Sequence, residues 1–241
     1  MIPFQDHFDS ILCLNLDDRP DRWASACSEA LRLGITKLQR ISATPHREGH
    51  RGAAITHTSV WKRIAGGEFG NVVLVLEDDF LMVDAESLVR AGYAPTSDEM
   101  RIFSSLQGDL SQRFDLVYRE IPPDWDMIFL GGGYQKKPFG LVAPHVVRTA
   151  GMLGMHAYVL NKRSAAALDW DFQCLYPTND WPLAIDCTIL PVLAKGMRFY
   201  VTSPRFFVQR PSPSSILPSE PVPKWFATSY VDAAHEKMVG R

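Results

Sequence analysis

Five consecutive apolar residues, Val72 to Leu76, three of them β-branched, predict a strand buried on both faces of a parallel sheet. An exposed face would have put polar residues at alternate positions. The run stops in Glu77-Asp78-Asp79. Charges are not left unpaired in a core, so these acids belong just past the C-terminal end of the strand, the edge at which open α/β sheets bind ligands. A second strand is expected over Ile11 to Leu16, followed by a polar loop and a helix opened by Pro20 and stopped by Gly34. Strand, loop, helix is the first unit of an α/β sheet, which brings Asn15 and Arg19 to the same edge as the acids.

Further along, Leu38 to Ile41 reads as a short strand and Gly49 to Gly52 as a turn. The helical segment Ala53 to Ala65 carries Ile55, Thr58, Val60, Trp61 and Ile64 without a clean stripe, so it is expected to be buried on more than one side. From about 81 to 123 the pattern becomes charged and helical, with Ala85 to Ala91 and Asp98 to Arg119 as amphipathic helices of an inserted elaboration whose apolar positions are spaced to pack. Asp126 to Gly133 returns to the sheet and runs into three glycines. Gly151 to Leu160 reads as one strand, followed by a helix from Lys162 to Leu168. Asp180 precedes Trp181-Pro182 and fits the N-cap of a helix reaching Ala194. Met197 to Thr202 and Phe206 to Val208 make the last strands. An irregular Pro/Ser-rich tail, about 209–241, ends in a short helix near Tyr230 to Met238 and is placed to close over a ligand.

At 241 residues and 46% hydrophobic, the chain is long enough for one α/β domain with a full core. Twenty-five basic against 27 acidic residues leave no field to hold nucleic acid, so an anionic ligand has to be met by local groups or a metal. The N-terminal stretch lacks the basic start and apolar run of a signal peptide, and no apolar stretch approaches a membrane span, so a cytoplasmic protein is expected. Cys13, Cys27, Cys174 and Cys187 form no CxxC pair and are expected as reduced thiols.

The candidate chemistry gathers at the acidic strand end. Three adjacent acids repel one another, and a divalent cation holding a diphosphate is the usual reason to collect them there. Arg19 and Arg22 could each meet a phosphate, although composition favours local pairing with Asp17, Asp18 and Asp21. His57 lies in the first turns of its helix, as a structural or a catalytic group. His156 would ligate a metal if its side chain faced the site, or fill a core position.

Leu14-Asn15-Leu16 with Arg19-Pro20-Asp21-Arg22, Gly49 and Gly52 with Thr56-His57 and Trp61, Leu74 to Asp79, Asp126 with Leu130-Gly131, Ala157-Tyr158 and Asp180 occur in an order that resembles glycosyltransferase family 25. That family includes lipooligosaccharide and collagen galactosyltransferases. The resemblance implies a GT-A-like α/β domain with a mostly parallel central sheet flanked by helices. It also implies a UDP-sugar donor, probed first as UDP-galactose, a glycan or other hydroxyl acceptor, a Mn2+ or Mg2+ ion, inversion at the anomeric carbon and a place in lipopolysaccharide biosynthesis. Peripheral contact with a membrane stays open. Carried over by position, Glu77 and Asp79 are the metal ligands. Leu14, Asn15, Arg19, His57 and Asp78 meet or order the nucleotide and its diphosphate, and Asp180 is the general base. The chain departs from the family pattern at Ala53 and Thr56, around the histidine, and in the length of the segment 81–123. A catalytically degenerate binder of nucleotide sugars is the rival from another class. A metal-dependent nucleotidyltransferase would want a Gly-rich basic loop where Asp17 to Asp21 stand.

Overall fold

A computed structural model describes residues 1–84, 109–134, 140–150, 152–168, 185–188, 196–203 and 205–210. After a 3-10 turn at Phe4–His7, the strands are β1 Ser10–Asn15, β2 Leu38–Ser42, β3 Val72–Glu77, β4 Phe80–Met82, β5 Met127–Phe129, β6 Gly133–Tyr134, β7 Gly140–Ala143, β8 Val146–Thr149, β9 Met152–Leu153, β10 Ala157–Asn161, β11 Phe199–Thr202 and β12 Phe207–Gln209. The helices are α1 Pro20–Arg32, α2 Gly49–Ala65, α3 Leu110–Glu120, α4 Lys162–Ala167 and α5 Ile185–Thr188.

Among the described residues, eight strands form one sheet in the order β2-β1-β3-β10-β5-β11-β8-β7. β3 runs parallel to β1, and β1 to β2, while β10 and β8 are reversed against their neighbours. Six of the eight therefore point the same way. The chain is thus an α/β protein with a large, mostly parallel central sheet flanked by helices, as expected.

Alternation along the strands separates two cores. Leu12 and Leu14 of β1, Val73 and Val75 of β3 and Tyr158 and Leu160 of β10 share one cluster with Ala54, Val60, Trp61 and Ile64 of α2. Ile11, Cys13, Leu74, Leu76, Ala157 and Val159 point the other way, onto Ala26 and Ala30 of α1 and Leu110, Phe114 and Val117 of α3. β3 is thus covered on both faces, which is why its sequence is apolar without alternation. The spacing i, i+4, i+7 of Leu110, Phe114 and Val117 gives α3 one buried stripe, and the side chain of Asp109 caps its start by accepting from the Gln112 amide at 2.8 Å. α2 buries Thr56, His57, Thr58, Val60 and Trp61 together, so it is enclosed on more than one side, as its pattern implied.

Several boundaries differ from expectation. The Gly49 to Gly52 turn is instead the first turn of α2, because the backbone amides of Arg51 and Gly52 already bond to the Glu48 carbonyl. Leu81 and Met82, expected as the start of the helical insertion, belong with Phe80 to β4, which pairs antiparallel with β12 and takes Gln209 out of the tail and into a strand. The run 151–160 is two strands: Gly154 adopts a left-handed φ of 80°, open to glycine at little cost, and breaks β9 from β10. The β7–β8 hairpin had no counterpart in the reading of the sequence. The helix expected over Asp98 to Arg119 instead has its start at Leu110, because Asp109 is extended and caps it. The expected helix Ala85 to Ala91, residues 98–108, most of the helix after Asp180, Asp180 itself and the tail from 211 lie outside the described residues. No helix among the described residues is long and apolar enough to cross a membrane.

Candidate functional site

The acids leave the C-terminal end of β3, between β1 and β10. Each is held differently. Asp78 is buried and receives the Asn15 side-chain amide on Oδ2 at 2.7 Å and Arg22 on Oδ1 at 2.9 Å. Burial raises its proton affinity, and Asn15 and Arg22 work against that rise. Glu77 receives Gln209 on Oε2 at 3.3 Å and meets His57 Nε2 through Oε1 at 3.2 Å. Burial pushes the Glu77 carboxyl up, but the hydrogen bond and charge of His57, with help from His156 and Arg22, bring it below its ordinary value.

Asp79 is the exception. It is 7% exposed, its Oδ2 lies 3.7 Å from Arg22, and its Oδ1 is buried without a hydrogen-bond partner. Burial first, then the charges of Glu77 and Asp78, raise its pKa to about 7, against the opposing pull of Arg22 and Gln209. A carboxylate oxygen that is buried, unpartnered and crowded by like charge is poor at holding bare negative charge and well suited to binding a cation. The residues therefore fit a divalent ion of the kind held by one or two carboxylates plus substrate phosphates, with Asp79 as the open ligand and Glu77 beside it. Among the described residues no group of three or more His, Cys, Asp or Glu is arranged to hold a metal by itself.

A chain of hydrogen bonds crosses from α2 to the acids. The Trp61 indole donates to the Tyr158 hydroxyl at 2.9 Å, and that hydroxyl lies 3.0 Å from His57 Nδ1. An indole N–H can only donate, so the Tyr158 oxygen accepts there, and the same hydroxyl shares a second hydrogen bond with His57 Nδ1. His57 Nε2 in turn faces Glu77 Oε1, which completes the chain. All three residues are fully buried or nearly so, and burial pushes the Tyr158 phenol far up, so it stays a donor. His57 thus orders this edge, and Tyr158 and Trp61 fix which of its nitrogens faces the acid.

The other expected site residues fall as follows. The Leu14 side chain is in the core, so only its backbone belongs to the strand end. Asn15 is buried and spends its side chain on the protein: its amide donates to Asp78 and to the Arg19 carbonyl, and its oxygen accepts from Arg40 at 2.8 Å. It orders Asp78 rather than offering atoms to a ligand. Arg19 makes a two-pronged pair with Asp21 at 2.9 and 3.0 Å, the local pairing that composition favoured. Arg22, one turn into α1, is the arginine that reaches the acids. His156 is buried with Nε2 3.3 Å from the Phe207 carbonyl, and burial lowers its proton affinity. Gly131 makes room for it: a Cβ there would sit 2.2 Å from His156 Nε2.

Two residues were not found from sequence. Gln209 lies 132 positions from Glu77, and Arg210 donates its backbone amide to the Asp79 carbonyl at 2.6 Å. The pairing of β12 with β4 brings both to the edge, and the short apolar run Phe206-Phe207-Val208 was the one signal for it. Asp186, on the short helix α5, accepts from the Gly154 amide at 2.6 Å.

The chain matches no family model and no curated protein. Among solved structures it is similar to a glycosyltransferase involved in the glycosylation of the major capsid of PBCV-1, at 12% identity over 86% of this chain and 94% of that one, with a TM-score of 0.44. It is also similar to A197 from STIV, at 10% identity over 83% of each chain, with a TM-score of 0.40.

Proposed function

We propose that the chain is a metal-dependent, inverting glycosyltransferase that moves a sugar, galactose first among the candidates, from a UDP-sugar to a hydroxyl of a glycan or similar acceptor. The observation that carries this reading is Asp79: a buried carboxylate with one unpartnered oxygen, at the ligand-binding end of the central strand, directly after two further acids. When bound, a Mn2+ or Mg2+ ion would neutralise the charge that builds on the departing diphosphate as a Lewis acid. Asp79 and Glu77 would hold it. Glu77 is kept ionised and oriented by His57 and Gln209, and Asp78 is fixed by Asn15 and Arg22, so the edge is ordered before any ligand arrives. Inversion also needs a carboxylate to take the acceptor proton from the far side of the sugar ring, and Asp180 is assigned to that step.

The test pairs binding with turnover. A thermal-shift screen of nucleotide sugars with and without Mn2+ identifies the donor, because stabilisation follows RT ln(1 + [L]/Kd). Asp180→Asn is then expected to keep donor and metal affinity while transfer falls on the order of 10²-fold or more, the usual weight of a positioned base. Wild-type transfer by this variant removes Asp180 from the role and leaves Asp186 as the next carboxylate to test. Loss of donor binding would make Asp180 a donor-sugar contact instead. Transfer that survives EDTA removes the metal from the reading.

A further inference from the structure

Three arginines stand near the acidic edge, and their partners differ. Arg19 is matched by Asp21, and Arg22 by Asp78 and Asp79. Arg210 has no carboxylate partner among the described residues. Its Nη1 donates to the Ser25 hydroxyl at 2.7 Å, while its backbone amide is fastened to the Asp79 carbonyl at 2.6 Å. Ser25 is three residues beyond Arg22 on α1, hence on the same helix face, so the Arg210 guanidinium lies along the face that carries Arg22 to the acids.

A serine hydroxyl is a weak match for a guanidinium, whose planar fork of donors suits a phosphate and binds it through two parallel hydrogen bonds. Such an arginine, half-buried at the end of β12 and held by main-chain bonds, costs little further ordering when an anion arrives. The anion that reaches an edge of three acids needs positive charge from the protein as well as from a cation, and Arg19 and Arg22 are already neutralised. We propose that Arg210 is the protein's diphosphate-binding residue at this site, leaving Ser25 to take phosphate oxygens of a nucleoside diphosphate. The nucleoside part of this assignment rests on the glycosyltransferase reading; the phosphate part rests on the arginine alone.

The experiment measures, by calorimetry with Mn2+ present, the affinity of the wild-type chain for inorganic pyrophosphate, UDP and uridine, and repeats it on Arg210→Gln, Arg210→Lys and Ser25→Ala. Arg210→Gln is expected to weaken pyrophosphate and UDP on the order of 10- to 100-fold, the scale of losing a charged hydrogen bond, and to leave uridine unchanged. Arg210→Lys keeps the charge and loses the fork, so it falls between the two and gives the same reading if the glutamine variant does not fold. Ser25→Ala is expected to retain UDP binding. If Arg210 merely fastens β12 to α1, Ser25→Ala and Arg210→Gln would lower thermal stability alike and leave UDP affinity intact, which overturns the proposal. Equal loss of uridine and UDP, or a wild-type chain that binds neither pyrophosphate nor UDP, overturns it too. Arg210-dependent binding of pyrophosphate without binding of UDP upholds the anion site and sinks the UDP-sugar reading instead.

Discussion

Asp79→Asn should make the ligand-free protein more stable, by a margin that grows from about pH 4 and is complete above about pH 7. The folded chain holds the Asp79 proton up to about pH 7, whereas the ordinary value, taken for the unfolded chain, is 3.8. Between those two values the folded state binds more protons than the unfolded one, so the stability contributed by this group falls as pH rises and levels off above about 7. At about 1.4 kcal/mol for each pH unit, the whole fall is on the order of 4 kcal/mol. Asn copies the neutral acid in shape, and the attraction of Arg22 for the ionised form is already contained in the position of the pKa, so no separate correction for that contact is needed. Wild type and variant should therefore differ little near pH 4 and by up to about 4 kcal/mol at pH 8, with Asn the more stable. Urea unfolding of both chains from pH 4 to pH 8, in the presence of EDTA, reads the difference directly. A variant that is less stable than wild type at pH 8, or a difference that is flat with pH, would refute the claim that the Asp79 charge is carried at a cost.

Tyr158→Phe removes the hydroxyl that accepts from the Trp61 indole and bonds to His57, leaving two buried groups without their partner. A loss of about 1–3 kcal/mol in denaturant unfolding is expected, and an unchanged stability would mean that neither buried group depends on the hydroxyl. Gly131→Ala puts a methyl group 2.2 Å from His156 Nε2 and 2.9 Å from the Phe207 carbonyl. It should cost about 1–3 kcal/mol by overpacking, and a silent substitution would mean that His156 has somewhere else to go.

How legible these features were follows from how local their causes are. β3 was readable because burial on both faces leaves a direct mark, five apolar residues ending in charge, and the body of α3 because its apolar stripe is local, although its start at the Asp109 cap was not read and the helix was expected from Asp98. The β7–β8 hairpin was not, since its strands are four residues each, with Val142 and Arg148 exposed, and the Pro144-His145 turn is the one cue between them. Arg19 and Arg22 illustrate the limit most plainly. Both stand in the same polar run, and their sequence positions say nothing about direction; Pro20 starts the helix between them, leaving Arg19 at the loop to meet Asp21 and turning Arg22 toward Asp78. Gln209 and Arg210 owe their place to a pairing with β4 that spans well over a hundred residues, beyond the reach of any local pattern.

The balance at the strand end explains why the three acids are not interchangeable. Each of Glu77 and Asp78 has both carboxylate oxygens answered from other elements: His57 of α2 and Gln209 of β12 on the first, Asn15 of β1 and Arg22 of α1 on the second. Those bonds offset the repulsion that three neighbouring charges would otherwise impose. Asp79 is disfavoured as an anion first by burial without a partner for Oδ1, and then by the charges of Glu77 and Asp78. A core residue in that position would be selected toward a neutral side chain, because the neutral form is the more stable fold. A cation bound to the ionised form would remove both the repulsion and the unmet hydrogen-bonding capacity at once, which would offset the cost of keeping the acid. Asp79→Asn should therefore act in opposite directions, raising the stability of the free protein and removing the stabilisation that Mn2+ gives the wild type, and a variant that Mn2+ stabilises as much as wild type would refute the link between the two.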